Sequence, residues 1–135
     1  MKKVVNAIIL DAKSEKVLVI KRREGIHSGK WAFPGGIVED NETSENALKR
    51  EIKEELGVKI GKIIKRIGAY EYPRENKEVT KGESFLVSLE NMRIKLDSNE
   101  ISESKWATIE DLESLDCAPG IEEEAMKAVY GNAQN

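Results

Sequence analysis

Apolar and polar positions alternate along the chain in a way that predicts short strands interleaved with three helices. Residues 4–10 and 16–20 read as two strands joined by a polar turn, a hairpin with a loop of several residues. The unbroken apolar run Val17-Leu18-Val19-Ile20 predicts burial on both faces. Trp31-Ala32-Phe33 is a short extended piece, and Pro34 keeps Phe33 out of the α region. Thr43 or Ser44 caps a helix that runs to about Leu56, with Gly57 as its left-handed stop. Leu48, Ile52 and Leu56 form the buried stripe of that helix. Residues 58–72 are largely strand, interrupted at Gly68. Residues 73–82 form a charged hairpin loop, and 84–89 the next strand. A short strand is expected at 93–96 and an extended segment at 100–107. Thr108 caps a short helix over 109–115, Pro119-Gly120 breaks the chain, and 121–130 form a last amphipathic helix before a frayed tail at 131–135. This order describes a single mixed α/β domain.

Composition narrows the setting. At 135 residues the chain is long enough to bury a core. No apolar run approaches the ~20 residues needed to span a membrane, and the first residues lack the apolar core of a signal peptide. Cys117 is the single cysteine, so no intrachain disulfide forms and a reducing, cytoplasmic location is expected. A net charge of −3 argues against a protein that coats nucleic acid. It leaves room for a small phosphorylated substrate, because a bound metal reverses the local sign.

The candidate chemistry lies in and around the first helix. Glu51, Glu54 and Glu55 fall at i, i+3 and i+4 and share one face. Like charges at that spacing cost roughly 0.2–0.5 kcal/mol per pair. Taken alone the trio reads as a solvated acidic face; a hard divalent cation that prefers carboxylate oxygens is the functional alternative. Upstream, Gly35-Gly36 permits close backbone approach. Lys21-Arg22-Arg23 is ordinarily a solvated strand end, with Arg22 or Arg23 reaching a substrate phosphate as the functional reading. His27 reads as a surface histidine, and Trp31 and Phe33 as packing residues.

The spacing of Gly36, Glu42, Arg50-Glu51, Ile52, Glu54-Glu55, Gly57 and Val58 resembles the Nudix (MutT-like) hydrolase box at every defined position, with no insertion. The resemblance implies the Nudix fold, a mixed curved β-sheet sandwiched between α-helices. It implies hydrolysis of a nucleoside diphosphate linked to another group, with Mg²⁺ or Mn²⁺ as cofactor. In that family Glu51, Glu54 and Glu55 would be metal ligands, joined by the Gly35 carbonyl and an acidic residue after the box, Glu100 first and Glu103 second. Arg50 would orient Glu51 and pair with Glu42, while Gly36, Glu42 and Gly57 would shape the loop and helix. The base that takes the proton of water would be Glu51, Glu54 or a loop glutamate. Tyr70, Tyr72, Lys81 and Trp106 loosely match positions at which relatives read adenosine diphosphoribose or diadenosine polyphosphates; free nucleoside triphosphates suit the chain equally. The partner is then a small nucleotide, and the assembly a monomer or homodimer. The alternative is a nucleotide-binding sensor of the same fold that does not hydrolyse.

Overall fold

The computed structural model describes residues 2–25, 27–73 and 79–133, leaving the side chains of residues 72, 73, 132 and 133 undescribed. Among these residues the elements run β1 (Lys2–Ile9), β2 (Val17–Arg22), β3 (Trp31–Ala32), β4 (Gly35–Ile37), α1 (Ser44–Leu56), β5 (Ile60–Pro73), β6 (Val79–Leu89), β7 (Ile101–Ala107), α2 (Ile109–Ser114) and α3 (Ile121–Ala133).

The strands make two sheets, one ordered β4-β1-β6-β5 and the other β3-β2-β7. Strand β1 lies parallel to β6 and antiparallel to β4, so the larger sheet is mixed. The expected β1–β2 hairpin is not a paired ladder. One bridge joins Leu10 to Val17, after which the strands part into different sheets. Strand β5 shifts register against β6 three times, the last shift at Arg66/Gly68. Each bulge bends and twists the strand, which curves the sheet.

Two cores explain the apolar runs. One gathers Ile8, Val17, Val19, Phe33 and Leu86 against Leu112 of α2 and Ala125, Ala128 and Val129 of α3. The other gathers Val5, Ala7, Ile9, Leu18, Phe85 and Val87 against Ala47, Leu48, Ile52 and Leu56 of α1. Successive strand side chains point to opposite faces. Val17 and Leu18 are therefore both buried, in different cores, and the layers are helix, sheet and helix.

Helix α1 forms as expected. The Thr43 hydroxyl accepts the Asn46 N–H at 3.1 Å, and Gly57 closes the helix at φ 68°, donating to the Lys53 carbonyl at 3.0 Å. Three expectations need correction. Residues 93–96 are not a strand: Lys95 N–H donates to the Leu56 carbonyl at 2.8 Å and Asp97 N–H to the Glu55 carbonyl at 2.9 Å, so this segment satisfies the last carbonyls of α1 while Ile94 and Leu96 pack on the core. Strand β6 begins at Val79, five residues before the expected start, because pairing with β5 extends to Pro73↔Val79. The tip of that loop, residues 74–78, lies outside the described residues. Helix α3 continues through residues 131–133, and the final two residues of the expected tail lie outside the described residues. No helix among the described residues is long and apolar enough to cross a membrane.

Candidate active site

Strand β4 places its two glycines where no side chain fits. A Cβ on Gly35 would run into the Val5 carbonyl and Asn6 of β1. A Cβ on Gly36 would occupy the position of the Glu51 carboxylate. The missing Cβ of Gly35 lets β4 lie close against β1, and that of Gly36 lets α1 press its acidic edge against the β4 backbone.

Arg50 holds that edge. Its Nε and Nη2 donate to the two oxygens of Glu42 at 2.7 and 2.9 Å, a paired fork. Its Nη1 donates to Glu51 at 2.9 Å, and Nη2 also reaches the Ile37 carbonyl at 3.0 Å. One guanidinium therefore ties the turn before α1, strand β4 and the carboxylate of Glu51 together. Hydrogen bonds from Arg50 and from the Glu39 N–H hold the Glu42 carboxyl down at about 2. Glu51 is mostly buried, its side chain 14% exposed. Burial pushes its carboxyl up to about 7, with Glu55 and Glu54 adding repulsion that Arg50 partly offsets.

Glu55 is enclosed, 1% exposed. Burial pushes its carboxyl above the usual range, against the pull of Arg22 and of the Gly35 N–H. Arg22, at the end of β2, donates to Glu55 at 2.5 and 3.3 Å and to the Gly35 carbonyl at 2.6 Å. The Gly35 N–H donates to Glu55 at 2.9 Å. The two oxygen donors thus converge on one positive charge, an arginine standing where hard oxygens would hold a cation. This donor chemistry, together with the mutual repulsion of Glu51 and Glu55, fits Mg²⁺ or Mn²⁺. Among the described residues no three carboxylate, histidine or cysteine side chains converge into a ready cage, so substrate phosphates or water would have to complete the shell.

The expected residues divide around a single cavity of about 970 Å³. Arg22, Gly35, Gly36, Glu51, Glu55, Tyr70 and Glu100 line it. Arg50 and Glu42 brace it from behind, and Gly57 ends the helix that carries it. Glu54 is 56% exposed, 3.5 Å from Arg50, and does not line the cavity. Arg23 turns away, its Nε donating to the Ser98 carbonyl at 2.7 Å. Glu103, paired with Lys21 at 3.5 Å, is away from the lining; Lys81 is outside it too, but its partner at 3.6 Å, Glu71, lines the cavity. The Tyr72 side chain lies outside the described residues. Trp106 packs against the α1 core. His27, read as a surface residue, is half-buried at the cavity, and burial lowers its pKa. Asn6, Thr80, Ser84 and Glu124 also line the cavity and carried no sequence signal; they belong to no motif and come together only through strands β1 and β6 and helix α3.

Comparison with known proteins agrees with this architecture. A model of the NUDIX domain matches residues 1–129. An ADP-ribose pyrophosphatase of Methanocaldococcus jannaschii is 48% identical over 61 residues, 45% of this chain and 36% of that protein. The chain thus spans about a third of that relative's length. Nucleoside triphosphatase NudI of Escherichia fergusonii is 32% identical over 103 residues, 68% of this chain and 71% of that protein. A solved MutT NUDIX hydrolase from Burkholderia pseudomallei superposes with a TM-score of 0.81 at 22% identity, covering 93% of this chain and 96% of that one. With the box residues assembled on one helix edge and the domain model matched across nearly the whole length, the chain belongs to the NUDIX domain family.

Proposed function

We propose that this chain is a Nudix pyrophosphohydrolase that cleaves a nucleoside diphosphate linked to another group. Water attacks a phosphorus, a new P–O bond forms, and the anhydride P–O bond breaks to release two phosphorylated products. The observation that carries this reading is the Arg50-braced edge of α1, which puts Glu51 and Glu55 beside Gly35 and Gly36 in the wall of one nucleotide-sized cavity. Glu51, Glu55, the Gly35 carbonyl and Glu100 line the cavity and would hold Mg²⁺ or Mn²⁺ together with substrate phosphates or water, and Glu54 would join them from the outer edge of α1 by a change of rotamer. When bound, such an ion supplies charge neutralisation at the phosphates and acidifies water. Glu51, a carboxylate in the cavity wall, is the group that would take the proton of water. Arg50 fixes its direction. Arg22, displaced from Glu55 by a metal, is within the same cavity to meet a phosphate.

The names of the relatives favour small nucleotides as substrates, with adenosine diphosphoribose and nucleoside triphosphates as the first two classes to try. A second reading, a nucleotide-binding sensor, draws on one observation: Arg22 forms an ion pair with Glu55 and a hydrogen bond to the Gly35 carbonyl, so this chain's own cation engages two of the candidate metal ligands. A panel of nucleoside triphosphates, oxidised dGTP, adenosine diphosphoribose, dinucleoside polyphosphates and NADH, assayed with Mg²⁺ and with Mn²⁺ and with products resolved, separates the two. The hydrolase reading expects metal-dependent turnover that falls by at least ~100-fold in Glu55→Gln and Glu54→Gln while the variants still fold. Binding without turnover across the panel selects the sensor.

A further inference from the structure

The far end of the cavity from Glu51 has a floor set by strand register. Thr80, Gly82, Ser84 and Leu86 alternate onto one face of β6. Leu86 belongs to the core beneath α3, so this face looks toward α3. Pairing places Asn6 and Gly68 beside Ser84, Val4 and Tyr70 beside Gly82, and Lys2 beside Thr80. The apolar rank of Ile8 and Leu86 thus gives way to ranks of small and polar residues. The Tyr70 ring fills the space a side chain on Gly82 would take, and the Asn6 amide donates to the Tyr70 hydroxyl.

Glu124 of α3 hangs over this floor. It is 8% exposed, and its carboxylate rests on Gly68, where a Cβ would collide with it. The Ser84 hydroxyl donates to Oε1 at a long 3.3 Å, and among the described residues Oε2 has no partner. The Thr80 hydroxyl, 1% exposed, has none either. Buried polar atoms are nearly always paired, and those that are not ask for a reason. Both residues line the same cavity, Glu124 where α3 meets β6 at Ser84 and Thr80 further along the strand, so the wall carries hydrogen-bonding capacity that the fold itself does not use.

We propose that Glu124, with Ser84 and Thr80, forms a subsite for the group at the far end of the substrate, and that this group presents two adjacent hydrogen-bond donors. A carboxylate with two oxygens accepts a pair of parallel donors, and Thr80, four residues along β6 from Ser84, adds a hydroxyl further along the same cavity wall. Burial makes the charged form of Glu124 costly in the empty cavity, and two ligand donors would supply the stabilisation it lacks. The chemistry has two sources in nucleotides: the N1–H and amino edge of a guanine-type base, or the vicinal diol of a terminal ribose. The orientation rests on the hydrolase reading, which puts the phosphates at Glu51 and Glu55.

The test is equilibrium binding in EDTA, where turnover plays no part, with two ligand pairs: GTP against ITP, which lacks the exocyclic amine, and ADP-ribose against ADP, which lacks the terminal sugar. The wild-type chain should favour the donor-bearing member of one pair by at least ~10-fold, the worth of hydrogen bonds to a charged group. That pair identifies the source. Glu124→Gln, nearly isosteric, should shrink the ratio to about twofold, and Thr80→Val should weaken the favoured ligand without unfolding the chain, as thermal melts would report. No discrimination in the wild type, or a ratio that survives Glu124→Gln, overturns the proposal. So does Glu124→Gln raising stability while leaving the ratio unchanged, the result of a merely awkward buried acid. Discriminating binding from a chain that hydrolyses nothing would retain this subsite and remove only the catalytic reading.

Discussion

At the scale of single residues, Arg50 shows what the spacing of a motif encodes. Its pairings with Glu42 and Glu51 follow from the box, and the structure forms both. A lysine could keep the charge but not the planar fork that serves Glu42, Glu51 and the Ile37 carbonyl together. In Arg50→Lys the Glu42 midpoint, read by NMR titration, should rise from about 2 toward the ordinary 4.5. The sign follows from linkage: a depressed folded value gives stability present above pH 4.5 and lost as pH falls toward 2, and the variant loses that contribution. With Glu51 no longer oriented, turnover should fall about 100-fold. An unmoved Glu42 midpoint would show that the brace is not what Arg50 provides. Arg22 teaches the reverse lesson. A strand-end cation reads as a phosphate contact or as solvated, yet it grips Glu55, 33 residues away, and that pairing depends on β2 and α1 meeting in space. Glu124 and Thr80 were silent for the same reason, since nothing local marks a glutamate that folds back over a glycine.

At the scale of elements, legibility tracked how local the cause was. Helix α1 carries its stripe, its cap and its stop within its own residues, and it forms with those bounds. The β1–β2 hairpin was a local signal overruled by distant ones, because β1 finds a parallel partner in β6 and β2 an antiparallel one in β7. The 93–96 segment alternates like a strand, but Lys95 and the following Asp97 donate their N–H groups to the end of α1. That end offers a clean test. Gly57 sits at φ +68°, and a Cβ there would lie 3.2 Å from the Lys95 carbonyl. Gly57→Ala should cost about 1–2 kcal/mol through the left-handed backbone, more if the segment around Lys95 must shift. Melting temperature should drop by several degrees with KM little changed, because Gly57 is away from the cavity lining. A variant as stable as the parent would mean the cap is not what ends the helix.

At the scale of the whole molecule, the sandwich places an expensive acidic edge at the mouth of a cavity and leaves its charge to be settled by what binds. This makes metal and pH two handles on one quantity. Glu51 has a folded value near 7 against 4.5 unfolded, so the folded chain keeps a proton that the unfolded chain gives up. Its contribution to stability is fully present below pH 4.5 and is lost as pH rises through 7. Burial shifts Glu55 in the same direction, whereas His27, lowered from 6.5, works the opposite way as it deprotonates. A divalent cation favours the ionised carboxylates and should restore what high pH removes. The rise in melting temperature on adding Mg²⁺ or Mn²⁺ should therefore be larger at pH 8 than at pH 5, and chelation should reverse it. Glu51→Gln carries no titrating proton at this position. It should flatten the fall in metal-free stability between pH 4.5 and 7 and reduce the metal-induced rise at pH 8. Because His27 is unchanged in that variant, the difference between the two melting curves removes its contribution and reports Glu51 together with its repulsion of Glu55. A metal effect of equal size at both pH values, in parent and variant alike, would mean that the cation binds elsewhere and that the edge of α1 does not hold it.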